Sequence, residues 1–244
     1  MSFPIQKALK LAHSTFSKLS KGILFDLDSL SPLRSQLNQI RAVDVNFEPS
    51  VFRRDPTSFG QAPVTYVKLY EDRIISVGIF VMRRGARLPL HDHPGMFGLC
   101  KTIHGKMKVN SFSQADLSED KVRKKKSTLP SNRINLVPVH RKDSVVLSEE
   151  DECCVLTPEE GNYHEISPVG DMAAFLDILA PPYDYMTMTR TCQYYTLLED
   201  KDKVLEDSDK LNESSPVQWL CEIPEPNDFW CDTSDYTGPP LNVL

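Results

Sequence analysis

From Val64 onward the chain breaks into short runs rich in β-branched and aromatic residues, and this rhythm constrains the fold more than any other feature. The runs cover residues 64–70, 74–82, 99–109, 134–139, 144–147, 153–157, 173–179, 193–198 and 217–221. Turn-forming residues bound most of them: Gly85, Pro94-Gly95, Gly105, Pro158 with Gly161, Pro168 with Gly170, and Pro181-Pro182. Short strands at similar spacing, with no helices between them, predict a mainly β sandwich or barrel rather than a parallel α/β sheet.

Ahead of this region, Ile5, Leu9, Ala12, Phe16 and Leu19 recur at helical spacing and predict an amphipathic helix. A second helix is expected with Ser31 as cap, Pro32 at its first position, and Leu33, Leu37 and Ile40 as its apolar stripe. Residues 1–45 thus read as a helical segment packed on a barrel of residues 46–244, with 48–63 a polar linker. Within the barrel, 118–133 (SEDKVRKKKSTLPSNR) reads as a basic surface loop and 199–215 as an exposed mixed-charge stretch. Trp219, Phe229 and Trp230 restore apolar weight, so a C-terminal segment is expected to cover the barrel.

Composition excludes several classes. Hydrophobic residues make up 40% of the 244, enough for a sizeable core. A net charge of −6 argues against a nucleic-acid or anionic-membrane partner, which needs a basic footprint. The longest apolar runs, 77–82 and 173–180, are too short to span a bilayer. The six cysteines include the adjacent Cys153 and Cys154, and residues 1–20 carry no continuous apolar signal segment. A reduced, cytoplasmic location is therefore expected. Four lysines ahead of Asp26, the first acidic residue, make a mitochondrial presequence the alternative. No heptad or long apolar edge is visible, so a monomer is expected.

The chemistry concentrates in residues 85–105, GARLPLHDHPGMFGLCKTIHG. On a strand, His91 and His93 point to the same face with Cα atoms ~6.5–7 Å apart, close enough for both imidazoles to reach one metal at ~2.1 Å. Asp92 faces the other side. Of the remaining histidines, His13 lies on the first helix, His140 sits beside Arg141 and Lys142, and His104 abuts Gly105 at an apparent hairpin turn. His164, where a Pro158–Gly161 turn opens into a strand, is the best third ligand. An H-x-H pair alone is a weak signal.

The framing of that pair sharpens it. Gly85-x5-His91-x-His93-x4-Gly98-x6-Gly105 resembles the first cupin motif, except that Gly98 stands where cupins place a glutamate ligand. Pro158-x2-Gly161-x2-His164 resembles the second motif with one extra residue. The resemblance implies a double-stranded β-helix (jelly-roll) barrel with N-terminal helices and a metal inside. Without the carboxylate, three neutral imidazoles leave a divalent ion its full charge and favour an incoming anion such as a thiolate.

Three further stretches narrow the resemblance. PLHDHPGM (89–96), FLDILAPPYD (175–184) and CQYY (192–195) resemble the cysteamine (2-aminoethanethiol) dioxygenases and, more distantly, the plant cysteine oxidases. The resemblance implies Fe(II) held by His91, His93 and His164. It also implies O2-dependent oxidation of cysteamine to hypotaurine, and of N-terminal cysteine on proteins to its sulfinic acid, as in oxygen-sensing N-degron routes. Asp177 interrupts an apolar strand; it is expected to orient a ligand histidine or contact the substrate amine, or else to serve a structural partner. Tyr183 belongs to the same stretch. Cys192 and Tyr194, read as sharing a strand face, resemble a pair that forms a Cys–Tyr thioether near the iron, while Tyr195 points to the core. The competing readings are a zinc-dependent cupin hydrolase and a non-catalytic cupin binding protein.

Overall fold

The structure is a computed structural model that describes residues 3–20, 26–53, 60–127, 135–198 and 216–243. The N-terminal part holds α1 (Pro4–Ser20) and α2 (Ser31–Asn38). α1 turns Ile5, Ala8, Leu9, Ala12 and Phe16 wholly inward, at the spacing read from the sequence. α2 differs in its start: a 3-10 turn, Leu27–Leu30, is capped by the Asp26 carboxylate and runs straight into the helix. Ser31 is therefore already helical, and the cap position falls to Leu30, which offers no side-chain bond.

Eleven strands follow: β1 (Val64–Glu71), β2 (Ser76–Arg83), β3 (Leu88–His91), β4 (Phe97–Gln114), β5 (Leu136–Arg141), β6 (Val145–Ser148), β7 (Cys154–Leu156), β8 (Tyr163–Ala180), β9 (Tyr194–Leu197), β10 (Val217–Ile223) and β11 (Cys231–Ser234). Six of them, in the order β8-β3-β9-β10-β5-β4 and back to β8, close an antiparallel barrel. β2, β1 and the parallel β11 extend the sheet from β8, while β6 and β7 pair with β4. This is the mainly β barrel with N-terminal helices that the strand rhythm predicts. Among the described residues, no helix is long and apolar enough to cross a membrane.

The apolar run of β8 has a simple cause. Ala174, Leu176, Ile178 and Ala180 join Val77, Ile79 and Val81 of β2 in a buried cluster with α1 and α2. The alternate residues Ala173 and Phe175 join Met82, Leu88, Cys100 and Ile166 in a second cluster. A strand buried on both faces reads as continuously hydrophobic. Asp177 falls on the second face and breaks it.

Two expected turns lie inside strands: Pro168 and Gly170 fall within the 18-residue β8, and Gly105 within β4. Gly105 sits inside the 18-residue β4 at a register shift, with φ +70°, and a Cβ there would run into the Met172 carbonyl oxygen. β4 and β8 bend together at this point, so His104 lies mid-strand rather than at a hairpin. The basic insertion is not a loop throughout: Glu119–Ser127 forms α3, with Glu119 and Asp120 in its first turn and three lysines in its last. That placement complements the helix dipole at both ends. Residues 199–215 lie outside the described residues. At the C-terminus, Trp219 is part of barrel strand β10 and Phe229 packs on the second cluster, but Trp230 is exposed.

Candidate metal centre

β3 ends at His91, which pairs with His164 on β8 and Tyr194 on β9. His93 follows as the chain turns through Pro94-Gly95, with Gly95 at φ +65°, into β4. The sequence reading put both histidines on one strand, but only His91 is in β3; its pairing with β8, and the chain that carries His93 just past the strand end, bring three buried imidazoles together, their ring centroids 4.7 to 4.8 Å apart. One nitrogen from each lies within 4.8 Å of the other two.

Hydrogen bonds set the tautomers. His91 Nδ1 lies 2.7 Å from the Pro89 carbonyl oxygen, an acceptor only, so Nδ1 carries the proton. The Tyr183 hydroxyl donates to the Asp92 carbonyl at 2.6 Å. Its single proton so engaged, the same oxygen accepts from His93 Nδ1–H at 2.9 Å. Both rings are left with an Nε2 lone pair. His93 Nε2 stands 3.0 Å from His164 Nε2. Two nitrogens each ~2.1 Å from one ion, at right angles about it, would be ~3.0 Å apart. Burial keeps all three imidazoles below the usual histidine range, His93 and His164 strongly so. Neutral rings with converging lone pairs are what a divalent cation requires, so the donor set fits one.

The surroundings are fixed as tightly. Asn162 clamps the His93 backbone, accepting from its N–H at 3.1 Å and donating to its carbonyl at 2.8 Å. Asp92 points away, as alternation predicts: its carboxylate accepts from Gln193 N–H and the Tyr195 hydroxyl, both at 2.9 Å. Tyr195 is buried in a third apolar cluster. A Cβ on Gly98 would lie 2.8 Å from Leu156 Cγ, so this sheet leaves no room for the carboxylate that cupins carry there. His13 pairs with Asp72 at 3.0 Å, His104 stands 4.0 Å from Glu149, and His140 lies on β5.

The imidazoles line a cavity of about 410 Å³ together with Asp177, Tyr183, Cys192 and Tyr194. Asp177 is buried, and its carboxylate accepts from the Cys100 thiol at 3.1 Å rather than from an imidazole. Burial pushes it up to about 7. Across β2 it faces Gly78, whose missing side chain makes room for the Tyr66 ring. Cys192 falls just before β9, not within it, yet its thiol has the Tyr183 and Tyr194 hydroxyls as partners. Burial pushes that thiol up to about 12. Sequence reasoning missed Tyr66, Cys100 and Asn162. Asn162 carried a usable signal, a polar residue in the turn two positions before His164. The other two look like ordinary strand residues.

The fold and site define a closed antiparallel β-barrel with three neutral imidazoles converging in its cavity, a set that could hold a metal ion. The PCO_ADO family model matches residues 36–241, and the chain belongs to that family. It is 36% identical over 218 residues to a Mus musculus protein named 2-aminoethanethiol dioxygenase, covering 87% of this chain and 84% of the relative. The Homo sapiens protein of that name is 35% identical over 220 residues, covering 87% and 81%. Plant cysteine oxidase 1 of Arabidopsis thaliana is 27% identical over 229 residues, covering 89% and 73%. Among solved structures, a cupin superfamily protein from Desulfitobacterium hafniense aligns over 53% of this chain and 92% of its own, at 12% identity and TM-score 0.33.

Proposed function

We propose that this protein is a thiol dioxygenase that uses Fe(II) and O2 to convert cysteamine to hypotaurine and N-terminal cysteine of proteins to cysteine sulfinic acid, the oxygen-sensing mark of an N-degron. One observation carries the reading: three neutral, carboxylate-free imidazoles share a cavity with one buried carboxylate. His91, His93 and His164 would hold the iron(II) ion, which would supply the redox chemistry that joins O2 to the substrate sulfur.

The protein's own groups do the rest. Tyr183 holds the His93 tautomer through its bond to Nδ1. The Pro89 carbonyl does the same for His91. Asp177 is the group for the substrate ammonium: its partner is a thiol, which leaves carboxylate capacity for a cation. Fixing thiol and amine at two points of one cavity supplies orientation, a contribution of several kcal/mol in well-placed reactions. We infer that Cys192 and Tyr194 form a thioether, the two electrons and two protons lost passing to O2. Intact mass would then fall by two hydrogens, a loss that Cys192→Ser abolishes.

The six cysteines all stand as free thiols, in keeping with a reduced cytoplasmic location. We take the working state as a monomer with residues 1–45 packed on a barrel of 46–244. The deciding experiment measures O2 uptake by iron-loaded protein with cysteamine and with a peptide beginning in Cys, each product read by mass for a gain of two oxygen atoms. Bound zinc with no thiol-dependent O2 uptake would replace this reading with that of a hydrolase. Retained structure with neither metal-dependent reaction would make the protein a binding cupin.

A further inference from the structure

β4 runs between β7 and β8, so its Gly98–Cys100 stretch has a cross-strand partner on each side. Cys100 stands opposite Cys154 on β7 and opposite Asp177 on β8. Directly opposed residues of antiparallel strands project to the same face. Cys154, Cys100 and Asp177 therefore form one row on the cavity side of the sheet. The contacts agree: the Cys100 thiol donates to Asp177 Oδ1 at 3.1 Å, and the Cys100 and Cys154 thiols are hydrogen-bond partners. The Cys154 thiol also reaches the Cys100 carbonyl oxygen at 3.6 Å. Cys153 points the opposite way, into the cluster beneath α1 and α2.

Two features suit this pair to oxidation. Opposed Cα atoms in an antiparallel pair are ~4.5–5.5 Å apart, inside the ~4.4–6.8 Å span that a disulfide bridges. Access is graded as well: Cys154 is half-buried on a strand that pairs only with β4 among the described residues, while Cys100 is buried against the cavity. Contact between the two thiols lowers Cys154 from the usual thiol range and, together with burial, raises Cys100 well above it.

We propose that Cys100 and Cys154 are an oxidisable dithiol that hydrogen peroxide converts to a cross-strand disulfide, removing the thiol donor from Asp177. The Cys154 thiolate attacks the peroxide, the O–O bond breaks, and a sulfenic acid and one water form. The Cys100 sulfur then attacks the Cys154 sulfur, the S–O bond breaks, and the departing hydroxide leaves as water with the Cys100 proton. Two thiols lose two electrons to the peroxide, and one S–S bond and two waters result. The sulfur of the disulfide has no proton to donate, so Asp177 loses the hydrogen bond that stabilises its charged form. The consequence for catalysis rests on the proposed function, in which Asp177 holds the substrate ammonium.

The test treats full-length, iron-loaded protein with a small excess of hydrogen peroxide and maps its peptides without reduction. The expected product is a linked peptide pair carrying Cys100 and Cys154, two hydrogens lighter than the free peptides. Dithiothreitol releases it, which separates it from a Cys192–Tyr194 thioether. The KM for cysteamine should rise about fivefold, the worth of one lost hydrogen bond, and return on reduction. Cys154→Ser should hold its KM through the treatment, and Cys153→Ser should behave as the unaltered protein. Iron oxidation would affect all three alike and so is separable. No linked pair at a dose that oxidises exposed Cys231 overturns the proposal, as does a linked pair with unchanged KM. Absence of any thiol-dependent O2 uptake before treatment would sink the functional reading instead, while the peptide map still decides the dithiol.

Discussion

Replacing Tyr183 by phenylalanine isolates the link between a hydrogen bond and a metal site. The ring packs as before, but the hydroxyl that accepts from His93 Nδ1–H and donates to the Asp92 carbonyl is gone. Besides the Cys192 thiol, the hydroxyl has His93 and Asp92 as partners, both buried, and a buried polar group left unpaired costs roughly 1–3 kcal/mol, so these two together cost about 2–6 kcal/mol of stability. The metal effect is separate. Without the hydroxyl, His93 is free to place its proton on Nε2, and an Nε2–H ring is no ligand. Loss of such a supporting contact typically weakens a metal site 10- to 100-fold, which is about 1.4–2.7 kcal/mol. Anaerobic competition with a calibrated chelator measures the affinity, and thermal unfolding of the metal-free protein measures the stability. Affinity within twofold of the unaltered protein would show that Tyr183 does not set the tautomer, whatever happens to the melting temperature.

The remaining predictions concern the site and the barrel that carries it. Burial raises Asp177 to about 7 from an ordinary 3.8, so between those pH values the folded protein keeps a proton that the unfolded chain has lost. Stability of the metal-free protein should therefore fall as pH rises from about 4 to about 7, by up to about 4 kcal/mol; Asp177→Asn should flatten that slope in pH-dependent denaturant titrations and be the more stable form at high pH. The same substitution should cut cysteamine turnover about tenfold or more, and unchanged kinetics would remove Asp177 from the mechanism. His164→Ala should abolish stoichiometric metal binding by elemental analysis, whereas a retained equivalent would place the ligands elsewhere. Gly105→Ala, at φ +70° and facing the Met172 carbonyl, should destabilise by more than Gly85→Ala, which shares a positive φ of +76° but meets open space. A left-handed non-glycine residue costs roughly 1–3 kcal/mol, and equal melting temperatures for the two variants would show that the bulge yields.

What was legible in the sequence was whatever depends on local alternation. Strand rhythm gave most of the strands and the barrel class, because a period of two survives without knowledge of the partners. The His91–His93 pair and the outward turn of Asp92 follow from that alternation. What escaped was what depends on pairing. The end of β3 at His91 was hidden because LPLH is four residues long and contains a proline, so its length cannot be read from alternation. Gly105 looked like a turn because φ > 0 serves a bulge as well as a hairpin. α3 looked like a loop because it buries nothing, so no apolar stripe marks it. The bond of Asp177 to Cys100 was beyond reach for the same reason, since it is set by β4–β8 register.

That register also explains why the cavity keeps a carboxylate yet gives the metal position none. Gly98 and Cys100 are alternate residues of β4, paired with Leu179 and Asp177 of β8. At Gly98 the space is taken by Leu156 from β7. At Cys100 the neighbour on β8 is a carboxylate, displaced along the strand from the histidine cluster and held by a thiol. A negative charge at the Gly98 position would lower the net charge of a bound dication and weaken its pull on an incoming thiolate. At position 177 the carboxylate instead lies along the cavity wall, the place that the proposed function gives to the substrate ammonium. Separating the two charges along one sheet matches a substrate that is itself a thiolate at one end and a cation at the other.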